Sequence, residues 1–529
     1  MLIYLVVVPI IIAVLLYLSP FERITKLLAL LVQICLVGAA FYLFYLVDYG
    51  VYIQPIGHYT YSGLTITLKA DFLSAAFILI TSFIYLLIVV FMFNDNQSRI
   101  FWFLLFVWQA ALMGIFLSGD LFNIFVLTEV ATTVIVILLM FDKEKRSLYD
   151  GVIYFMINIV AIQFFLLGLG YLYRVIGIFD FETALAYSRA YDRSNLVLPY
   201  ALIMTFVALK CAFVPVYNWL PRAHGTPGAL PAVSAVLSGL HIKSAVYMFL
   251  RVQELFEGMA MYEFYIVVGI VSAIAGFMLA LAQKDIKLIL AYHTISQIGL
   301  IMVGLNINHS ENYIGGLYHM FNHAFFKSLL FLCAGIIAKA YGSRNIYMIR
   351  GVFRKMPAVG FATLLGALGI TGAPFFNGSI SKYFIAYGQS GMMFWVLLFI
   401  NLGTVISFIK FTSMLWGKPE NDVLVHKDRW QQASILTLGL LCFCGGLWGL
   451  RFISFFFGVD LTINFWGYVE KSGMYFISLA IGYLIYRYYL PKSAMLKLIG
   501  SYELGFKGMC AALGVFFAIM LIVTGVYYA

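Results

Sequence analysis

Apolar residues run along this chain in blocks far longer than soluble helices need. A membrane crossing takes about 20 apolar residues. By that measure, crossings are expected near 1–19, 27–47, 70–94, 99–118, 121–141, 149–173, 199–217 and 231–250. Further crossings are expected near 262–283, 286–305, 312–338, 358–388, 391–416, 432–457, 473–490 and 507–527. Polar residues between them form short corners, such as Gly119-Asp120 and the run AQKDIK at 282–287, and never a block large enough for a soluble domain. The expected fold is therefore one all-α polytopic membrane domain. The opening run from Met1 lacks a basic leader and a small-residue cleavage site, so it is expected as the first membrane helix.

Two segments break the pattern. In LKCAFVPVYNWLPRAHGTPGALPAVSAVLSGLHIKSAVYMFLR, from Leu209 to Arg251, Pro215 interrupts one apolar run shortly after Lys210, and Lys243 lies inside the next. The second break is Gly369–Pro374, followed by Lys382 in GSISKYFIAY. Proline removes a backbone donor and frees a carbonyl, which a membrane tolerates only where protein or cavity water satisfies it. Glu129 and Lys210 precede the first break, while His319, His323 and Lys327 precede the second. Paired interrupted helices of this kind mark inverted-repeat transporters.

Composition agrees: of 529 residues, 63% are hydrophobic and 11% charged. Soluble domains carry roughly a quarter charged residues. The net charge of +10 is not read as a nucleic-acid footprint, because lysines and arginines gather in the short loops on one side. Arg23, Lys143, Arg222, Lys284, Arg344, Lys355 and Lys497 fall on the richer side, and Lys69, Arg189, Arg251 and Lys471 on the sparser one. The positive-inside rule then places both termini outside, in a cell membrane. The six cysteines lack zinc or iron–sulfur spacing and read as small apolar residues, so no cofactor is expected in this chain.

The intramembrane charges carry the chemistry. A charged lysine at membrane depth costs about 3 kcal/mol or more and usually faces a partner or a water-filled path. Lys210 and Lys243 can load and release protons, since buried lysines shift their proton affinity readily. Glu129 is expected to pair with Lys210 and modulate it, against the blander reading of a helix-locking ion pair. His319, His323 and Lys327 stand at i, i+4 and i+8 on one helix face, as a hydrogen-bonded relay would require. A metal is disfavoured, because a site needs three or four ligands and no third lies nearby. Lys382 is either the end of this series or a lysine reaching to the surface. Lys410 reads as an interface anchor, Asp71 and Asp120 as helix starts, and Asp285 with Lys287 as a capped corner.

The Leu209–Arg251 passage, DIKLILAYHTISQIG (Asp285–Gly299) and HMFNHAFFKSLLFLCAG (His319–Gly335) together resemble the antiporter-like membrane subunits. These are shared by respiratory complex I, Mrp-type multisubunit cation/proton antiporters and energy-converting membrane-bound hydrogenases. The resemblance covers about residues 60 to 420. It implies a core of fourteen helices built from two inverted five-helix repeats, broken at spans seven and twelve near Pro215 and Pro374, with two further C-terminal helices. It divides the chain into 1–120, a first repeat region at 121–250, a second at 262–416, and 417–529. It implies a hydrated proton path in which Glu129 and Lys210 pair, Lys243 is the central lysine, His319, His323 and Lys327 relay, and Lys382 ends the series. His293 stands where the family often has serine, a loop-side swap expected to matter little. The tail lacks a long lateral helix, which points to a member like the Mrp D or hydrogenase H proteins.

The leading expectation is a non-catalytic, proton-translocating subunit coupling redox energy to ion pumping. Its partners would be other membrane subunits, including further antiporter-like ones, a peripheral redox module, H⁺, Na⁺ and lipid. The alternatives are a Na⁺(K⁺)/H⁺ antiporter subunit without a redox module, and a structural membrane anchor.

Overall fold

The structure, a computed structural model, describes residues 1–56, 66–190, 192–419, 423–425, 427–500 and 504–528. Helices α1 (Leu2–Leu18) and α2 (Glu22–Val47) lead into an antiparallel hairpin, β1 (Tyr52–Ile56) paired with β2 (Ile66–Ala70). Then follow α3 (Phe72–Phe91), α4 (Arg99–Leu117), α5 (Leu121–Leu139), α6 (Lys145–Ile176), the short α7 (Phe181–Ser188) and α8 (Val197–Lys210). The short α9 (Trp219–Gly225) precedes α10 (Pro231–Val236), which a π-helical turn at Leu237–His241 joins to α11 (Ile242–Leu255). The second half holds α12 (Tyr262–Ala282), α13 (Ile286–Asn306), α14 (Ser310–Tyr341), α15 (Val352–Lys355), α16 (Pro357–Thr371), α17 (Asn377–Ile385) and α18 (Gly391–Thr412). The tail is α19 (Arg429–Leu447), α20 (Gly449–Phe457), α21 (Phe465–Leu484), α22 (Ala494–Gly500) and α23 (Phe506–Tyr528).

Among the described residues, 12 helices are long and apolar enough to cross a membrane. The other four expected crossings correspond to the 17-residue α1, the two broken passages α8–α9 and α16–α17, and α21. Expected boundaries shift most at α21, which starts at Phe465 and not near 473. The molecule is an all-α polytopic membrane protein apart from the β1–β2 hairpin, which the apolar pattern did not announce.

Loop contacts sort into two sets. Met1 N donates to Gln54, Thr67 to Asp180, Lys69 pairs with Glu182, Arg251 with Asp71, Arg189 with Glu257, and Tyr528 donates to the Ala260 carbonyl. The opposite set joins Lys26 to Asp95, Arg222 to Asp150, Arg344 to Asp285 and Gly225, and Arg350 to Ser413. Both chain ends thus lie on one face, here the termini face. The other, basic face carries the larger share of loop lysines and arginines.

The two halves repeat one another across these faces. α6 and α14 are both 32 residues long, and Pro231–Leu255 and Gly391–Leu415 both run 25. Asp120 caps α5 on the termini face, and a β-bridge pairs it with Asp180 through Leu121 N to Phe179 O and Phe181 N to Gly119 O. Asp285 caps α13 on the basic face, and a β-bridge pairs it with Asn345 through Ile286 N to Arg344 O and Ile346 N to Lys284 O. The same backbone device occurs once on each side of the membrane.

Both breaks end their helices alike. Ala212 N bonds Leu209 O and Phe213 N bonds Ala208 O; Gly372 N bonds Gly369 O and Ala373 N bonds Leu368 O. Each is a Schellman pattern, with a left-handed residue satisfying carbonyls at the helix end. Gly372 has φ 78°, natural for glycine, whereas Ala212 adopts φ 55° with a side chain in place. Pro215 and Pro374 follow and prevent the helices from resuming in register.

Candidate functional site

Lys210 is the last residue of α8, so the break exposes its ammonium to the bundle interior. It is 3% exposed. Nζ donates to Thr132 Oγ1 on α5 at 2.9 Å and to Asn158 Oδ1 on α6 at 2.7 Å, with the Phe206 ring 5.7 Å away. The expected Glu129–Lys210 pair is not in contact: Glu129 is half-buried, and its charge acts on Lys210 through space. The reason is azimuth. Glu129 leans toward the side of α5 that carries the exposed Val126 and Val130, whereas Thr132, three residues on, is rotated about 60° the other way and is buried.

Lys243 follows the π turn. Such turns re-aim side chains by adding a residue to the helical repeat. Lys243 is 1% exposed, and its Nζ contacts the Ser238 carbonyl within that turn and Nδ1 of His323 on α14. Ser238 Oγ meets Thr294 Oγ1 at 2.7 Å, Thr294 donates to the Leu290 carbonyl, and Lys327 Nζ donates to the same carbonyl at 2.6 Å. Lys243, His323 and Lys327 therefore converge around α13.

His319, His323 and Lys327 do lie on one buried face of α14, but their partners are spread over α11, α13 and α17. His319 Nδ1 meets Ser381 Oγ at 2.8 Å on α17, and Nε2 meets Gln297 Oε1 at 3.1 Å on α13. No hydrogen bond joins the three to one another among the described residues, and His323 Nε2 has no protein partner. Buried polar atoms in native proteins are satisfied by protein or ordered water, so these gaps call for water. Lys382, half-buried, donates to the Ile370 carbonyl at the second break (2.7 Å) and to Asn401 Oδ1 (2.9 Å). It faces a cavity of about 110 Å³, also lined by Lys471, on the termini face.

The register of the halves explains these partners. Asn158 and His323 are both fourteenth in their 32-residue helices, and Thr132 and Gln297 both twelfth in α5 and α13. The first half presents amides and hydroxyls where the second presents an imidazole and an amide.

Three histidines stand out that sequence reasoning passed over or misplaced. His241, in the π turn two residues before Lys243, is buried with Nδ1 unpartnered, its ring 5.9 Å from Trp108, within electrostatic reach of Lys210. His293 is not loop-side. It is fully buried eight residues into α13, with both nitrogens unpartnered and the Phe408 ring 5.0 Å away, within reach of Lys327, Lys382 and Lys410. His224 stacks on Phe331 at 4.3 Å near Lys287 and Lys327. An unpaired histidine in an apolar run was the available signal. Lys410 proves buried, closing the carbonyl end of α12 at Leu281 and Gln283. Lys287 is likewise buried and donates to Ala229 O at 2.7 Å.

The chain is similar to several antiporter subunits. A Na(+)/H(+) antiporter subunit of the D type from Alkalihalophilus pseudofirmus is 27% identical over 386 residues, covering 70% of this chain and 78% of that protein. Its counterpart in Bacillus subtilis is 26% identical over 405 residues, covering 72% and 81%. The putative antiporter subunit mnhA2 of Staphylococcus aureus is 29% identical, but the aligned region spans 50% of its length. In fold, the chain superposes on the Mrp complex of Dietzia sp. with TM-score 0.79 and 23% identity, covering 94% of this chain and 99% of that one. For respiratory complex I of Thermus thermophilus the TM-score is 0.76 at 20% identity, with 92% and 100% covered. The transmembrane family described as NADH:quinone oxidoreductase/Mrp antiporter matches residues 118–407, which contain both breaks and every ionisable group of the series. By that match, over more than half its length, the chain belongs to this family as an antiporter-like membrane subunit.

Proposed function

We propose that this chain translocates protons within a multisubunit Na⁺(K⁺)/H⁺ antiporter of the Mrp type, beside other membrane subunits that include further antiporter-like ones. The relatives named as D-type Na(+)/H(+) antiporter subunits favour this over the redox-coupled pump. The observation that carries the reading is the contact of Lys243 with His323 at the middle of the molecule, two buried proton carriers from opposite halves. Protons pass from Glu129 and Lys210 by way of His241 to Lys243, then through His323, Lys327 and His319 to Lys382, with water closing the gaps. The broken helices near Pro215 and Pro374 are the movable members, and 121–250 and 262–416 act as inverted halves between the flanking 1–120 and 417–529. Both termini face outward from the cell membrane, following the lysine and arginine asymmetry.

The test is Na⁺-driven proton movement in vesicles holding the assembled complex with Lys243→Ala or Glu129→Ala. Each variant is expected to abolish antiport while assembly persists; undiminished transport in both removes the proposal. Co-purifying iron–sulfur or nickel–iron subunits would return the redox reading.

A further inference from the structure

On the basic face, the ends of α12 and α18 and the passage Ile485–Gly500 enclose a cavity of about 820 Å³. Four cations line it: Lys284, Lys410, Arg487 and Lys497. The nearby acid, Asp285, is already engaged with Arg344 at 2.9 Å and with the start of α13. Lys410 is 2% exposed and spends two donors on the carbonyl end of α12, leaving one. The side chains of Lys284, Arg487 and Lys497 have no ion pair or hydrogen bond among the described residues. Four positive charges thus ring a space with no free counter-charge among the described residues.

The rest of the wall is amphipathic. Leu281, Leu490 and Leu496 line it and pack with Phe277 and Ile406 as a small separate core. Tyr347 and Tyr486 line it too, and Tyr488 and Tyr489 stand 67% and 69% exposed beside it. Clustered tyrosines mark the headgroup depth of a membrane protein. Basic pockets between membrane helices at that depth suit anionic headgroups.

We propose that this cavity binds the phosphate headgroup of an anionic phospholipid, with Lys284, Lys410, Arg487 and Lys497 donating to its oxygens and the acyl chains lying along α21. Free inorganic phosphate shares the oxyanion chemistry, but the leucine floor and the tyrosine belt favour a lipid. Each juxtamembrane cation adds about a fivefold gain in binding, so losing three costs on the order of a hundredfold.

The experiment uses the full chain, purified in mild detergent, stripped of lipid and offered phosphatidylglycerol or phosphatidylcholine. Retained lipid is counted by native mass spectrometry. Wild type is expected to keep phosphatidylglycerol over phosphatidylcholine, and the Lys284→Ala/Arg487→Ala/Lys497→Ala variant to lose about a hundredfold in retention with unchanged helical circular dichroism. Arg487→Ala alone, at an exposed position, is expected to lose about fivefold and serves if the triple variant misfolds. Equal retention of the two lipids, equal retention by the variants, or displacement by millimolar inorganic phosphate would each overturn the proposal.

Discussion

Replacing His323 by asparagine separates holding a lysine from passing a proton. His323 Nδ1 contacts the Lys243 ammonium, whose other acceptor is the Ser238 carbonyl. The molecule already contains the substitute: at the matching position in α6, Asn158 accepts from Lys210 at 2.7 Å. His323→Asn therefore keeps an acceptor within reach of Lys243 but cannot titrate. His323→Leu removes the acceptor as well, and losing a hydrogen bond to a charged group costs about 1.5–3 kcal/mol. The leucine variant should thus lose that stability together with transport. The asparagine variant should stay within about 1 kcal/mol of wild type, because its hydrogen bond is retained. Its transport should still fall at least tenfold, since general acid–base steps contribute about 10²–10⁴-fold and an amide supplies none. The assay is quenching of a pH-sensitive dye in inverted vesicles on Na⁺ addition, with thermal denaturation in detergent reporting stability. Wild-type transport by His323→Asn would show that His323 only holds Lys243, and would break the relay at its centre.

His241→Leu should cut antiport at least tenfold while assembly persists; wild-type rates in the same vesicles would remove His241 from the path between Lys210 and Lys243. Gly372→Ala should cost about 1 kcal/mol or more in thermal denaturation, since φ is 78° and the new Cβ would stand 3.0 Å from Lys382 Cδ, disturbing transport too. Ala212→Gly, at φ 55°, should gain about 0.5–1 kcal/mol in the same measurement. Asp71→Ala should cost about 1.5–3 kcal/mol, because it strips a 2.6 Å partner from an Arg251 whose side chain is 9% exposed and which keeps Glu254 at 3.1 Å. Burial pushes the Asp71 carboxyl up, but Arg251 and the Ser74 N–H draw it lower, to a net position below the ordinary 3.8. A depressed carboxyl contributes stability above its unfolded pKa and loses it as pH falls through the folded one. The gap between wild type and Asp71→Ala should accordingly be flat from about pH 5 upward and close in stronger acid.

The crossings were legible because hydrocarbon thickness imposes a length on apolar runs, and the breaks because proline and glycine act locally. Asp71, Asp120 and Asp285 were readable as helix starts for the same local reason, and each accepts N–H bonds at its helix. The π turn at Leu237–His241 was not legible: its residues suit an ordinary helix, and the extra residue is accommodated through packing against α14. The β1–β2 hairpin escaped because Pro55 and short strands obscure any alternation. At the site, the series from Glu129 to Lys382 was visible as charges where apolar residues belong. Which charges touch was not, because contact depends on the azimuth each helix presents. Glu129 and His293 show this from opposite sides, one turned partly outward from a span, the other buried where a corner was expected.

Symmetry supplies the missing rule. The two β-bridges, at Asp120 and Asp285, hold α5 and α13 at the same register on opposite faces, so residues at equal count occupy equivalent places. Thr132 answers to Gln297 and Asn158 to His323. Around Lys210 the two hydrogen-bonded acceptors, Thr132 and Asn158, are neutral and non-titrating, and Glu129 acts only through space. Around Lys243 the second half offers His323, with Lys327 one turn beyond. A scaffold used twice thus surrounds one lysine with fixed acceptors and gives the other a titratable one. At these positions the asymmetry lies in the side chains. Exchanging the two acceptors, Asn158→His with His323→Asn, should move the proton-passing step to Lys210. In the vesicle assay that double variant should transport faster than His323→Asn alone; an equal or lower rate would mean that the register match is structural only.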